Sequence, residues 1–371
     1  MGEVKPWYPV ENIEEVDSPA LLLYKEKVIG NIELVKEVAG GNVDRLRPHV
    51  KTHKIKEVCL LMLEAGIRKF KCATIAEAEM LAMAGAPDVL LAYQPTGPKI
   101  KRLIQLTKTY PATDFACLVD DIQNTRLINE LAGKASVVLP VYIDLNVGMN
   151  RTGIHPKQAS VLADSIRQCP SLLLKGLHAY DGQIHSTNLS LRTAEADLAF
   201  AQADRVYAAL QPEYDYPLTL VIGGTPTFPI HIRRQYGECS PGTFVFWDWG
   251  YMEMLPDQPF RWAALVVTRV ISIVDQTHIC TDLGHKSVAA ESPLPRVWFF
   301  NAPEASSIAQ SEEHLVLKVA DSTMFTVGQV LYGVPVHICP TVALYDKAHV
   351  IENRKFTTTW DVIARNRSIT V

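Results

Sequence analysis

From Ala20 to Ile222 the chain alternates short apolar runs with segments whose apolar residues recur at helical spacing. The apolar runs are Ala20–Leu23, Val43–Val50, Lys69–Ala73, Asp88–Tyr93, Asp114–Val119, Val137–Leu145, Leu173–Tyr180 and Leu218–Ile222. The gaps between them carry helix signals. Val28, Ile32, Val35 and Val38 share one face of a helix that Gly40-Gly41 stops. Thr74 with Glu77 three residues on forms a capping box, and Pro156 sits where proline starts helices well. Strict alternation of this kind implies a parallel sheet, because each crossover helix returns the chain to the end from which it left. Eight such strands predict an α/β chain with an N-terminal (β/α)8 TIM-type barrel; a doubly wound open sheet is the alternative.

After about Ser240 the helical period fades. β-rich runs replace it at Ala263–Val274, Thr277–Thr281, Val297–Phe300, His314–Val319, Val334–Ile338 and Ala348–Glu352. The expected organisation is a barrel over 18–238 and a smaller C-terminal β domain over 239–371, completed by residues 1–17.

Composition narrows the function classes. A formal charge of −4 over 371 residues provides no general attraction to nucleic acid or to an anionic membrane surface. No apolar run is long enough for a membrane span, and Met1–Asn12 lacks the layout of a secretory signal. Seven cysteines, odd in number and without a Cys-x-x-Cys, read as reduced thiols of a cytoplasmic protein.

In a parallel α/β domain the functional face lies at the C-terminal ends of the strands. Four polar segments fall there: Lys51, Asn146–Gly153, His178–His185 and Gly223-Gly224-Thr225. Read as a strand end, the stretch around Lys51 sends Arg45, Arg47, His49, Lys51 and His53 to one face. The Gly-Gly-Thr turn and Ser240-Pro-Gly242-Thr243 each suit a phosphate, though a tight turn explains either one alone. A lysine beside a phosphate cradle is what a pyridoxal-phosphate Schiff base needs. His337 and Cys339, two apart on an expected strand, present nitrogen and sulfur to one side. Such a pair favours zinc but needs further ligands; a core cysteine beside a satisfied histidine is the bland alternative. Arg151 calls for an anionic partner, a carboxylate or a phenolate oxygen. His185 is either a base or a plain loop histidine. Phe244–Tyr251 reads as a packing seam, and Asp120-Asp121 as helix capping.

Together, Arg47–Lys54, Gly148–Gly153, Gly176–Gly182, Gly223–Thr227 and His337–Thr341 resemble the D-threonine aldolase and D-serine dehydratase group of alanine-racemase-like, fold-type III pyridoxal-phosphate enzymes. The resemblance runs through nearly the whole chain. It implies a barrel, a C-terminal β domain, a homodimer and a divalent metal (Zn, Mn or Mg). It also implies that Lys51 carries the cofactor and that Arg151 and Tyr180 contact its ring. Gly223, Gly224, Thr225, Gly242 and Thr243 would hold its phosphate, and His337 and Cys339 the metal. His185 matches the histidine that aldolases place near the substrate hydroxyl. Cys339 is the dehydratase choice at the second metal position, whereas Gly182-Gln-Ile-His185 is more aldolase-like.

The expected function is retro-aldol cleavage of D-3-hydroxy amino acids such as D-threonine to glycine and an aldehyde. Dehydration of D-serine or a related acid to an oxo acid and ammonia is the runner-up. Racemisation, a non-catalytic pyridoxal-phosphate carrier, and a zinc hydrolase using His49 and His53 are the further alternatives.

Overall fold

The computed structural model describes residues 6–371, so the part of the β-domain expectation that concerns residues 1–5 lies outside the described residues. Chain contacts divide the molecule into two compact units. One comprises the described residues up to Ile32, with Thr52–Ile55 and Thr243–Arg365; the other comprises Glu33–Lys51, Lys56–Gly242 and Asn366–Val371.

The first strand, β1 (Ala20–Tyr24), is followed by seven parallel strands: β2 (Lys69–Cys72), β3 (Asp88–Leu91), β4 (Asp114–Val119), β5 (Leu139–Leu145), β6 (Leu172–Ala179), β7 (Thr219–Ile222) and β8 (Glu238–Cys239). β2 to β8 form one sheet in sequence order, with helices between successive strands as the periodicity predicts. The ring is completed by the stretch that holds Lys51. Leu46 bridges Cys239 of β8 and His49 bridges Lys71 of β2, both in parallel. This is the expected barrel, with three differences. β1 is not part of it, its last strand is the two-residue β8, and the Leu46 stretch contributes two isolated bridges where a strand over Val43–Val50 was expected.

Inside the barrel, Leu90, Ala116, Leu118, Tyr142 and Val221 pack into an apolar layer. Helix caps follow the sequence. Thr74 Oγ1 accepts from the Glu77 N–H at 3.0 Å, and Asp121 accepts from the Asn124 N–H at 2.7 Å, each filling an orphan donor of a first helical turn. The last residues belong to this unit too, where buried Glu79 accepts from the Thr370 N–H at 3.1 Å.

The other unit is a β domain, and β1 belongs to it. β1 pairs antiparallel with β9 (Ala264–Asp275), contrary to the expectation that it opens the barrel. The remaining strands are β10 (His278–Thr281), β11 (Val297–Phe299), β12 (Ser306–Gln310), β13 (Leu315–Lys318), β14 (Val330–Pro335), β15 (Lys347–Glu352) and β16 (Lys355–Asp361). β1 also pairs with β15, in parallel. All five of its residues are buried, so its hydrophobicity carries no record of which sheet it joins. Val10, Leu22, Tyr24, Leu265, Val267 and Tyr332 lie in one core cluster. The Phe244–Tyr251 seam packs within this unit. Trp247 is fully buried 5.2 Å from the Phe260 ring, and Trp249 stacks on Trp298 at 4.8 Å.

Candidate active site

The barrel unit gathers most of the expected cofactor residues. Lys51 lies in a short 3-10 turn, Val50–Thr52, with its side chain exposed. Its backbone N–H donates to His49 Nδ1 at 3.2 Å. The His49 N–H donates to Pro241 O at 2.9 Å, and the Lys71 N–H to Pro48 O at 2.8 Å. The turn is therefore tied on one side to the Ser240–Gly242 loop and on the other to β2.

The turn also ends the strand alternation, so the five basic side chains do not share one face. Arg47 is 1% exposed and pairs with Asp88 at 2.5 Å and with Glu238 at 2.6 Å. It lines a cavity of about 320 Å³ with Lys69, Asp114 and Thr219, at the N-terminal ends of the strands. None of the expected site residues lies there. His53 is buried, and its Nδ1 accepts from the Ile55 N–H at 3.1 Å. Among the described residues no group of three His, Cys, Asp or Glu side chains is set to hold a metal ion.

Tyr180, the residue after β6, is the hub. Its ring centroid lies 5.9 Å from Lys51 Nζ, 5.1 Å from the Arg151 guanidinium carbon and 5.6 Å from Lys71 Nζ. An aromatic face attracts such cations. A Cβ on Gly224 would stand 2.8 Å from the edge of this ring, so the Gly-Gly-Thr turn approaches Tyr180 as only glycine permits. Gly223 has φ +79°, the left-handed region that glycine tolerates best.

The two glycine-rich loops meet. The Gly242 N–H donates to Thr225 Oγ1 at 3.0 Å. Ser240 Oγ is buried and makes no hydrogen bond among the described residues, an arrangement that calls for a further polar ligand. Behind the loops, Asp181 accepts from Thr227 Oγ1 at 2.9 Å and from His231 Nε2 at 2.7 Å, and Thr227 Oγ1 in turn accepts from the Gly224 N–H at 3.3 Å. Sequence reasoning missed this brace. Its signal was the spacing of Thr227 and His231, four apart on one helix face.

A second missed group sits on the barrel interior. Asp144 on β5 accepts from His178 Nδ1 on β6 at 2.7 Å, and His178 Nε2 lies 3.3 Å from Lys71 Nζ on β2. Burial and the Lys71 charge push the His178 imidazole down, so it is neutral and Nε2 is its acceptor. Burial and then the Lys51 charge hold the Lys71 amine down at about 7, against the opposing pull of Asp144 and Asp181. Lys69 and Lys71 alternate with apolar residues on a four-residue strand, and that period was the available signal.

His185 lies exposed on the loop between β6 and the helix Leu189–Leu210. Arg151 is likewise exposed, in a loop turned by Asn146, whose Oδ1 accepts from the Gly148 and Asn150 N–H groups, each at 3.1 Å. Of the Asp120-Asp121 pair expected to cap, Asp121 alone does so; the Asp120 carboxylate accepts from the Gly153 N–H at 2.9 Å.

In the β unit, His337 and Cys339 come together by a route other than the expected one. β14 ends at Pro335; His337 caps the short helix Ile338–Val342 and Cys339 lies in its first turn. Cys339 Sγ is 3.2 Å from Thr52 Oγ1 and 3.5 Å from Thr243 Oγ1. His337 Nδ1 is 2.5 Å from Glu291 Oε1. Burial disfavours the charged imidazole, but Cys339, Glu291 and Asp248 outweigh it and push His337 up to about 9. Negative partners gathered on one imidazole make a locus that favours a cation.

Residues 25–248 match the family model described as alanine racemase, N-terminal domain, and residues 263–351 match the one described as putative serine dehydratase domain. The chain is 30% identical to a 3-hydroxy-D-aspartate aldolase of Paracoccus denitrificans (strain Pd 1222), over 98% of this chain and 95% of that protein. It is 28% identical to a D-threonine aldolase of an Arthrobacter species, over 98% and 96%. Among solved structures it is similar to a D-threonine aldolase from Filomicrobium marinum, with a TM-score of 0.88 and 28% identity over 95% of this chain and 96% of that one.

Proposed function

From the premise that the chain belongs to the alanine racemase N-terminal domain family, we propose that it is a pyridoxal-phosphate- and divalent-metal-dependent lyase that cleaves D-3-hydroxy amino acids of the D-threonine type to glycine and an aldehyde. The aldolase relatives match it over nearly their whole length, which supports this reaction type. The observation that carries the cofactor assignment is the meeting of Lys51, Arg151 and the close-packed Gly224 turn at one ring, Tyr180.

The residues fit both groups. The buried, unsatisfied Ser240 hydroxyl lies in a loop already joined to the Gly-Gly-Thr turn, as a phosphate cradle requires. The nitrogen and sulfur of His337 and Cys339 fit a borderline metal, with two ligands left for water or a substrate oxygen. When bound, pyridoxal phosphate supplies a reversible amine attachment and an electron-accepting ring, and the metal supplies a Lewis acid.

Lys51 presents an exposed amine for the covalent link. Tyr180 backs the ring, Arg151 offers its guanidinium to a phenolate or carboxylate oxygen, and Gly223, Gly224, Thr225, Ser240, Gly242 and Thr243 hold the phosphate. His185 takes the proton of the substrate 3-hydroxyl, directly or through a water it orients. Glu291 accepts from His337 Nδ1, which fixes the tautomer and leaves Nε2 for the ion. The donor pair favours zinc over manganese or magnesium. In this reading the working species is a cytoplasmic homodimer.

The test is reconstitution with pyridoxal phosphate, borohydride reduction and peptide mapping. A yellow protein whose visible band bleaches, with the reduced adduct on Lys51, is expected. A colourless protein, or an adduct on another lysine, sinks the assignment.

Dehydration of the same substrate class is the second reading. Cys339 and the serine dehydratase match over 263–351 favour it.

A further inference from the structure

Lys71 is the only fully buried lysine among the described residues, at 3% exposure, and the proposed chemistry leaves it without a role. Lysines this buried are normally paired with a carboxylate. Lys71 instead donates to a neutral imidazole, His178 Nε2 at 3.3 Å, whose other nitrogen is committed to Asp144 at 2.7 Å. An unprotonated amine that donates one N–H in this way keeps its lone pair for another proton. Lys71 shares the Tyr180 ring with Lys51, and its backbone N–H anchors the Lys51 stretch through Pro48 O at 2.8 Å.

We propose that Lys71 is a positioning residue that acts through Lys51: it accepts the proton that the Lys51 ammonium must lose before its amine attacks an aldehyde, and returns it afterwards. The proposal rests on the reading of Lys51 as the cofactor-bearing lysine. In the transfer one N–H bond of Lys51 breaks and one forms on Lys71, so the pair carries the same charge before and after. The charge moves from the exposed Lys51 to the buried Lys71, a desolvation cost that the facing carboxylates of Asp144 and Asp181 offset.

The charged groups that face Lys71 are Lys51 and Arg47, which oppose its protonation, and Asp144 and Asp181, which favour it. His178 faces it as a neutral ring. With burial, these hold the Lys71 amine at about 7, where an acid–base group exchanges protons most readily at neutral pH.

The experiment uses apo protein and follows pyridoxal-phosphate capture by its visible band, with borohydride trapping to confirm Lys51 as the site. Capture by the unsubstituted protein should rise through a midpoint near pH 7. Lys71→Met, close in volume, should slow capture at neutral pH by roughly a hundredfold and move the midpoint upward. Lys71→Arg should be equally slow, because it keeps a cation but accepts no proton. Wild-type rates in Lys71→Met, or restoration by Lys71→Arg, would overturn the proposal. The pH titration of the Lys71 side chain followed by NMR tests it without any variant: a midpoint near pH 7 is expected, and one near pH 10 would also overturn it. A protein that captures the cofactor nowhere sinks the reading of Lys51 itself. Normal capture with unaffected variants sinks only the role of Lys71.

Discussion

Gly242 donates its backbone N–H to the Thr225 hydroxyl at 3.0 Å, and this one bond joins two glycine-rich loops that neither motif alone identifies as an anion site. Thr225→Val removes the acceptor at almost constant volume. We expect the apparent Kd for pyridoxal phosphate to rise about tenfold, the worth of one hydrogen bond of roughly 1.4 kcal/mol, with an unchanged circular dichroism spectrum. Thr225→Ser should bind like the unsubstituted protein. Equal affinity in all three would remove the loop junction from the cradle.

Arg47 belongs to stability. Its guanidinium bridges Asp88 and Glu238, and Glu238 also pairs with Lys69 at 2.6 Å. Arg47→Met leaves those carboxylates short of a partner and should cost roughly 3 kcal/mol in chemical denaturation. The low end of the usual range applies because Lys69 remains. Cofactor capture by the folded fraction should be unchanged; a loss of capture without a loss of stability would return Arg47 to the chemistry.

His53 sets an acid limb on the stability curve. Burial takes its imidazole from 6.5 in the unfolded chain to about 3 in the fold. Between those values the unfolded chain holds the proton and the folded one does not. The contribution is therefore fully present above pH 6.5 and is lost as pH falls toward 3, with a slope of at most about 1.4 kcal/mol per pH unit. His53→Asn, whose side-chain oxygen can replace Nδ1 as the Ile55 acceptor, should flatten denaturation midpoints across that window. An unchanged slope would place the acid sensitivity elsewhere.

At the metal pair, His337→Ala should abolish stoichiometric divalent-cation binding in titration calorimetry. Glu291→Gln, which loses only the carboxylate on Nδ1, should weaken binding about tenfold. Full-strength binding by His337→Ala would remove this pair from the metal site.

The barrel was legible because β2 to β7 are apolar runs and the helices between them are marked by caps and glycines. β8 was not, since two residues, Glu238 and Cys239, carry no period. β1 looked like a barrel strand because a strand buried on both faces reads the same in either sheet. Lys51 was legible as a motif, but the strand face assigned to it was not: the 3-10 turn at Val50–Thr52 breaks the alternation and sends Arg47 and His53 elsewhere. His337 and Cys339 were paired by strand spacing, yet a helix start is what joins them. Lys71, Asp144 and His178 come from three strands, and one-dimensional patterning does not register such a meeting.

Product analysis with D-threonine, in the presence and absence of a divalent metal, tests the proposed lyase most directly. Glycine and acetaldehyde in equal amounts, formed only with the cofactor and the metal present, are expected. 2-Oxobutanoate and ammonia in their place, or cleavage that proceeds undiminished after complete metal removal, would contradict it.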